Sequence, residues 1–251
     1  MDLGITGKIA IVVGGAGNLG RAVSDRLAGE GVNLILFQRT QATLDAAAAE
    51  IRAAHGVNVT TVAGDMTKAS DVERLRAVAL QTGVDILVVN SARPPMPMRD
   101  VLEENEDSRW AEAYDGQLRS AILLVRAIVP ILVDRGWGRV VAITSASVKQ
   151  PMPHHSLSTV YRAGLTALMK HLANEIADKG VTVNCVCPAS VLTKGFERDW
   201  NLADRAARVP MKRLGTTDEF SSAVAYLASV PAAFITGASL QVDGGLTGSL
   251  L

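Results

Sequence analysis

Two cysteines are all the chain has, and they exclude more than they offer. Cys185 and Cys187 lie two apart in an apolar run. That spacing is unsuited to a mutual disulfide and too sparse for a metal site, so both read as reduced, buried thiols of a cytoplasmic protein. An excess of charge is also missing, because 25 Lys and Arg balance 25 Asp and Glu across 251 residues. Nothing in that balance suggests a nucleic-acid partner or an anionic membrane. No apolar run approaches the roughly 20 residues of a membrane span. The start, Met1-Asp2-Leu3-Gly4, lacks the basic-then-apolar pattern of a signal peptide. No low-complexity linker or change of composition divides the chain. With 48% hydrophobic residues, it is expected to bury one core as a single domain over 1–251.

What is present is alternation. Short β-branched runs fall at Ile9–Val13, Asn33–Phe37, Val57–Ala63, Ile86–Val89, Arg139–Thr144, Val181–Val186 and Ser239–Val242. Most are apolar on both faces, the pattern of parallel strands covered on both sides. Helical patterns lie between them at Leu19–Ala28, Leu44–Ala54, Ala69–Gln81, Ser108–Asp134, Ser158–Ala177 and Thr217–Ala228. The order predicts an α/β fold, a Rossmann-type doubly wound parallel sheet of about seven strands with helices on both faces. Residues 194–213, weakly periodic and rich in charge, are expected to form a flap over the carboxyl ends of the strands, where ligands bind in such sheets.

Gly14-Gly15-Ala16-Gly17-Asn18-Leu19-Gly20 follows the first strand and opens the first helix. Glycines there let backbone approach a pyrophosphate, and the helix N-terminus supplies amide donors and a favourable dipole. The second strand ends in Gln38-Arg39-Thr40. An NAD site wants a carboxylate at that point for the ribose hydroxyls. Here no acid repels a 2′-phosphate, and Arg39 offers a charged donor fork, so NADP(H) is favoured over NAD(H).

These residues resemble the short-chain dehydrogenase/reductase family over essentially the whole chain. The turn is similar to Thr-Gly-x-x-x-Gly-x-Gly, with Val13 for the Thr and Asn18 for the middle Gly. Asp65, in Gly64-Asp65-Met66, matches the acid that binds the adenine amino group. Asp85–Ala92, with Asn90, resembles the strand ending Asn-Asn-Ala-Gly, departing from it at Val89, Ser91 and Ala92. Asn184–Thr193, with Pro188, Val191 and Thr193, resembles the segment that holds the nicotinamide amide, with Ala189 for the usual Gly. Arg213-Leu214-Gly215, Ile235-Thr236-Gly237 and Val242-Asp243-Gly244-Gly245 resemble the C-terminal signatures. The resemblance implies a small-molecule substrate and a homotetramer or homodimer, joined through the long helices and the last strand.

It also implies a catalytic tetrad of Asn, Ser, Tyr and Lys, and here the match fails. Ser145 is in register. The family's Tyr stands thirteen residues further on and its Lys four beyond that, but these positions hold Ser158 and Arg162. The Asn position, set by Pro130, holds Gln117. A Ser hydroxyl is far less acidic than a phenol and cannot serve as general acid near neutral pH. Arg162 can hydrogen-bond ribose hydroxyls but does not give up a proton. Halohydrin dehalogenases are similar in using an Arg on this scaffold, yet they keep a Tyr and replace the nucleotide site, which this chain retains.

Substitutes for the missing acid are Tyr161, about 60° off the face of Ser158, and His154 or His155 in the preceding loop, a residue type suited to proton donation near neutrality. Each could equally be a packing or solvated residue. Arg93, after Asn90, faces either a cofactor phosphate, an acidic substrate group or solvent. Met96, Met98, Met152, Phe196 and Trp200 are expected to form apolar pocket walls. Two functions remain open: an NADP(H)-dependent oxidoreductase acting on a small carbonyl or alcohol with a non-standard proton donor, and a nucleotide-binding protein without redox turnover.

Overall fold

Seven strands form one all-parallel sheet in the order β3-β2-β1-β4-β5-β6-β7. This computed structural model describes residues 1–193 and 201–250. The strands are β1 Ile9–Val13, β2 Asn33–Gln38, β3 Val59–Ala63, β4 Ile86–Asn90, β5 Gly138–Ile143, β6 Val181–Pro188 and β7 Ser239–Val242. The helices are α1 Asn18–Gly29, α2 Gln41–His55, α3 Ala69–Thr82, α4 Asp107–Ala113, α5 Ser120–Asp134, α6 Ser156–Ile176, α7 Leu202–Arg208 and α8 Thr217–Leu227. The strand order reverses between β1 and β4, and ligands bind at such a switch point, outside the carboxyl ends of the strands.

Strand periodicity divides the core in two. Ile11, Val13, Leu87, Val89, Val140, Ala142, Cys185 and Cys187 face α3, α5 and α6. Their alternates Ala10, Val12, Ile86, Val88, Val141, Ile143 and Val186 face α1, α2 and α8. Each fully buried Val, Leu or Ile contributes about 1.5–3 kcal/mol, so the sheet needs both helical layers. Both cysteines are free and buried as expected, and burial pushes the Cys185 thiol up to about 12.

Several element ends, the flap and one helix differ from expectation. β3 begins at Val59, because Asn58 instead bonds across to Asn33. The flap region carries α7, while 194–200, with Phe196 and Trp200, lie outside the described residues. The helix expected over Ser108–Asp134 changes at Tyr114–Arg119 into a π-helical turn. There the Gly116 carbonyl accepts the Ala92 N–H at 3.2 Å and the Ser120 hydroxyl at 2.9 Å. These bonds draw the carbonyl toward the end of β4, at the kind of position where π turns concentrate.

Contrary to expectation, the stretch Asp107–Asp134 is long and apolar enough by composition to cross a membrane. Its apolar face, including Leu124, Ile128 and Leu132, is packed into the core, and a core helix satisfies the same composition.

Candidate active site

The carboxyl ends of the strands border a cleft of about 800 Å³. At one end the first turn is held against β2 by a Gly14 N–H bond to the Phe37 carbonyl at 2.7 Å. Gly14 has φ +66° and lies against the Asn90 carboxamide, so a side chain there would collide with it. Asn18 takes φ +47°, in the left-handed region that Asn tolerates better than most residues. It therefore keeps a conformation for which the family uses Gly. Gly20 is a packing residue, since a Cβ there would fall 2.2 Å from the Gly14 carbonyl oxygen. Gly15 is similarly enclosed by Leu36, Ser24 and Val12.

The N-cap of α1, Gly17, makes no side-chain capping bond, and a Cβ on it would meet nothing within 4 Å. The first amide donors of α1 are thus presented to open space lined by Gly14, Gly17, Asn18 and Leu19, an arrangement suited to a phosphate. Gln38, Arg39, Asp65, Met66 and Asn90 border the same cleft. Burial works against the Asp65 charge. The Thr67 N–H and hydroxyl, at 2.9 and 2.8 Å, together with the nearby charges of Arg39 and Lys68, more than offset it and hold the carboxyl below its ordinary range. Arg39 is exposed at the end of β2.

Pro188 lines the far end. Val191 and Thr193 stand behind it, outside the cleft lining. Val191 bridges to Gly215, and the buried Thr193 hydroxyl has no partner among the described residues. The residues fit a dinucleotide: open amides at a helix start, glycines where backbone must close in, and an orphan hydroxyl beyond Pro188.

Ser145, Ser158, Arg162 and His155 all line the cleft. Ser145 follows β5 and caps a short 3₁₀ turn, accepting the Ser147 N–H at 3.2 Å, with the two hydroxyls 2.9 Å apart. Ser147 is fully buried. Its place in Ser145-Ala146-Ser147 was visible in the sequence but its grip on Ser145 was not. The imidazole Nδ1 of His155 lies 2.7 Å from the Pro153 carbonyl. A carbonyl only accepts, so Nδ1 carries the proton and Nε2 is the nitrogen free to exchange one.

Arg162 differs most from expectation. It is only 9% exposed, and it donates to the carbonyls of Ile143 and Thr144 at 2.9 Å each and of Ala92 at 3.4 Å. Those bonds tie α6 to the ends of β5 and β4 and consume donors that the ribose was expected to receive. Burial, followed by the field of Arg93, pulls the guanidinium down to about 10, still a cation at neutral pH.

Three catalytic candidates fall outside the cleft lining. His154 has its Nδ1 3.2 Å from the Asp100 carboxylate. Tyr161 turns away to pack against Trp110 and Tyr114, at centroid distances of 6.1 and 6.0 Å. Burial, then Tyr114, pushes its phenol above the ordinary value, which makes it a poorer acid. Gln117 is fully buried in the π turn, and neither amide atom has a partner among the described residues. Met96 and Met98 line the cleft, but Met152 does not. The walls are less apolar than expected, since Arg93, Glu112, Asp115 and Arg205 also border the cleft. Arg205 bonds the Ser190 hydroxyl; the weak periodicity of its segment gave no sign of that position. The near wall is rigid. Arg109 holds Glu104 at 2.7 and 2.8 Å and bonds the Pro97 carbonyl at 2.6 Å. Ser156 meets the Arg99 carbonyl at 2.8 Å.

A parallel sheet reversing at a glycine turn, with Ser145 at the opposite end of one cleft, defines a nucleotide-dependent oxidoreductase scaffold. The chain belongs to the short-chain dehydrogenase/reductase family: the family model described as enoyl-(acyl carrier protein) reductase matches residues 14–247. Dehydrogenase/reductase SDR family member 4 of Bos taurus is 34% identical, over 95% of this chain and 86% of its own. The 2,3-dihydroxy-2,3-dihydro-p-cumate dehydrogenase of Pseudomonas putida is 29% identical over 98% and 96%. The crystal structure of L-sorbose reductase from Gluconobacter frateurii, complexed with NADPH and L-sorbose, is 28% identical. It covers both chains fully with a TM-score of 0.92.

Proposed function

We propose that this protein is an NADP(H)-dependent oxidoreductase that interconverts a small carbonyl compound and its alcohol, with His155 in place of tyrosine as the proton donor. The observation that carries it is the single cleft joining an uncapped α1 N-terminus and Arg39 to Ser145, Ser158 and His155. The NADPH bound by L-sorbose reductase supports the cofactor choice. When bound, NADP(H) supplies or accepts the hydride. Gly14, Asn18 and Leu19 would hold its pyrophosphate, Arg39 its 2′-phosphate, and Asp65 its adenine.

The protein's own groups do the rest. With Ser147 as the donor in the 2.9 Å hydroxyl pair, the Ser145 proton is free to point at a substrate oxygen. Arg162 lies buried beneath that position as a fixed positive charge and favours negative charge on the oxygen. As the imidazolium, His155 gives its Nε2 proton to the substrate oxygen and is left neutral, with the Nδ1 proton kept on the Pro153 carbonyl. The protein works in the cytoplasm as a homodimer or homotetramer, a state supported by exposed apolar residues on α6 and near β7, among them Val160, Phe234 and Leu240.

The test is NADPH binding by fluorescence, followed by cofactor oxidation across a broad carbonyl panel. Binding with turnover on at least one carbonyl supports the assignment. Tight binding with no turnover on any panel member would favour a nucleotide-binding protein without redox activity.

A further inference from the structure

Arg93 is exposed, lines the same cleft as the buried Arg162, and has no ion-pair partner among the described residues. Arg162 donates to the carbonyl of Ala92, the residue before Arg93, at 3.4 Å, and the Arg93 charge adds to burial in lowering the Arg162 value. Among the described residues, Arg162 bonds backbone carbonyls and no carboxylate. Two neighbouring cations at the wall of a cleft, with no carboxylate paired to either, leave a place that an anion would stabilise.

The backbone carrying Arg93 is fixed on both sides. The Ala92 N–H bonds the Gly116 carbonyl, the Ala92 carbonyl accepts from Arg162, and Pro94 is buried. Arg93 thus follows a hydrogen-bonded stretch of backbone just past β4. The acids that share the cleft are engaged elsewhere. Asp115 is 3.5 Å from Arg119, which itself reaches the Thr67 carbonyl on the Asp65 side. Asp65 is held by Thr67. Glu112 lies in the field of Arg109.

We propose that Arg93 is the substrate-anion receptor of this site: its fork binds a carboxylate on the substrate, with the Arg162 charge beneath it. The substrate class is then oxo acids and their hydroxy-acid counterparts rather than neutral ketones. This rests on the oxidoreductase function proposed above.

The experiment compares 2-, 3- and 4-oxo acids with their methyl esters as substrates of the intact enzyme with NADPH. For the pair turned over best, kcat/KM is expected to favour the acid by about tenfold or more. In Arg93→Gln that ratio should collapse toward one through KM for the acid, with kcat and NADPH affinity changed by less than about twofold. Arg93→Lys, which keeps charge but loses the fork, should recover part of the preference. Equal use of acid and ester by the unmodified enzyme overturns the proposal. So does an Arg93→Gln variant whose main loss is NADPH affinity, which would assign the anion to the cofactor. If no carbonyl is turned over, the same acids and esters are titrated calorimetrically into the NADPH complex. Acid binding that is lost in Arg93→Gln sustains the receptor while the redox assignment fails, and no difference between acid and ester overturns it.

Discussion

The Arg162 guanidinium donates to the Thr144 carbonyl at 2.9 Å, one residue before Ser145. A side chain at the family's lysine position therefore fixes the strand end that presents the substrate-facing hydroxyl. Arg162→Ala would strand three carbonyls whose donor is almost wholly buried. A loss of about 3 kcal/mol is expected, read as a fall in Tm of roughly 6–12 °C for a chain of this size. Arg162→Lys keeps the charge but not the fork and should fall between the two. An Arg162→Ala variant as stable as the parent would show that the clamp carries no weight.

His155→Gln is expected to lower kcat by about 10²-fold or more with little change in NADPH affinity. Tyr161→Phe should leave kcat within about twofold, because its ring packs on Trp110 and Tyr114 and a lost hydroxyl away from the cleft removes no general acid. Adding Ser158→Tyr to His155→Gln places a phenol in the cleft lining near the Arg162 cation, which favours its ionised form. It should recover about tenfold of the lost rate. Steady-state kinetics on one responsive carbonyl measures all three variants.

Arg39→Ala tests the cofactor choice. Removing the cation that follows β2 should weaken NADPH by about 10–100-fold, the scale of a lost charge-assisted phosphate pair, and NADH by less than about twofold. Equal weakening of both in fluorescence titrations would assign Arg39 a different role.

The Glu219 carboxyl is pulled down to about 2, first by its bonds from Arg213 and then by the Thr216 N–H at the start of α8. A lowered folded-state value stabilises the fold fully above the ordinary 4.5 and loses that effect as pH falls toward about 2. Glu219→Gln should therefore lower Tm at neutral pH, and the difference from the parent should shrink through that window. A Tm difference independent of pH would attribute the loss to packing instead.

The strands and most helices were legible because burial on both sides leaves an unbroken apolar record, as in Ile9–Val13 and Val181–Val186. The glycine turn was legible because backbone approach admits few residue types; Asn18 was matched to the family's middle Gly by position, and its positive φ gives the reason. What stayed hidden depends on distant partners. The π turn follows from an Ala92 bond to Gly116, 24 residues apart. The role of Arg162 depends on carbonyls of two other strands, and the direction of Tyr161 depends on Trp110 and Tyr114. Spacing put Arg162 at the lysine position but could not show that three of its five N–H donors bond backbone carbonyls.

The most direct measurement is a single turnover with NADPH carrying deuterium at the transferable C4 position, mixed with a carbonyl panel that includes oxo acids. Products are read by mass spectrometry. Hydride transfer predicts one deuterium in an alcohol product of at least one carbonyl and, in the His155→Gln variant, the same label arriving about 10²-fold more slowly. Tight binding of the labelled cofactor with no deuterium in any product would contradict the account.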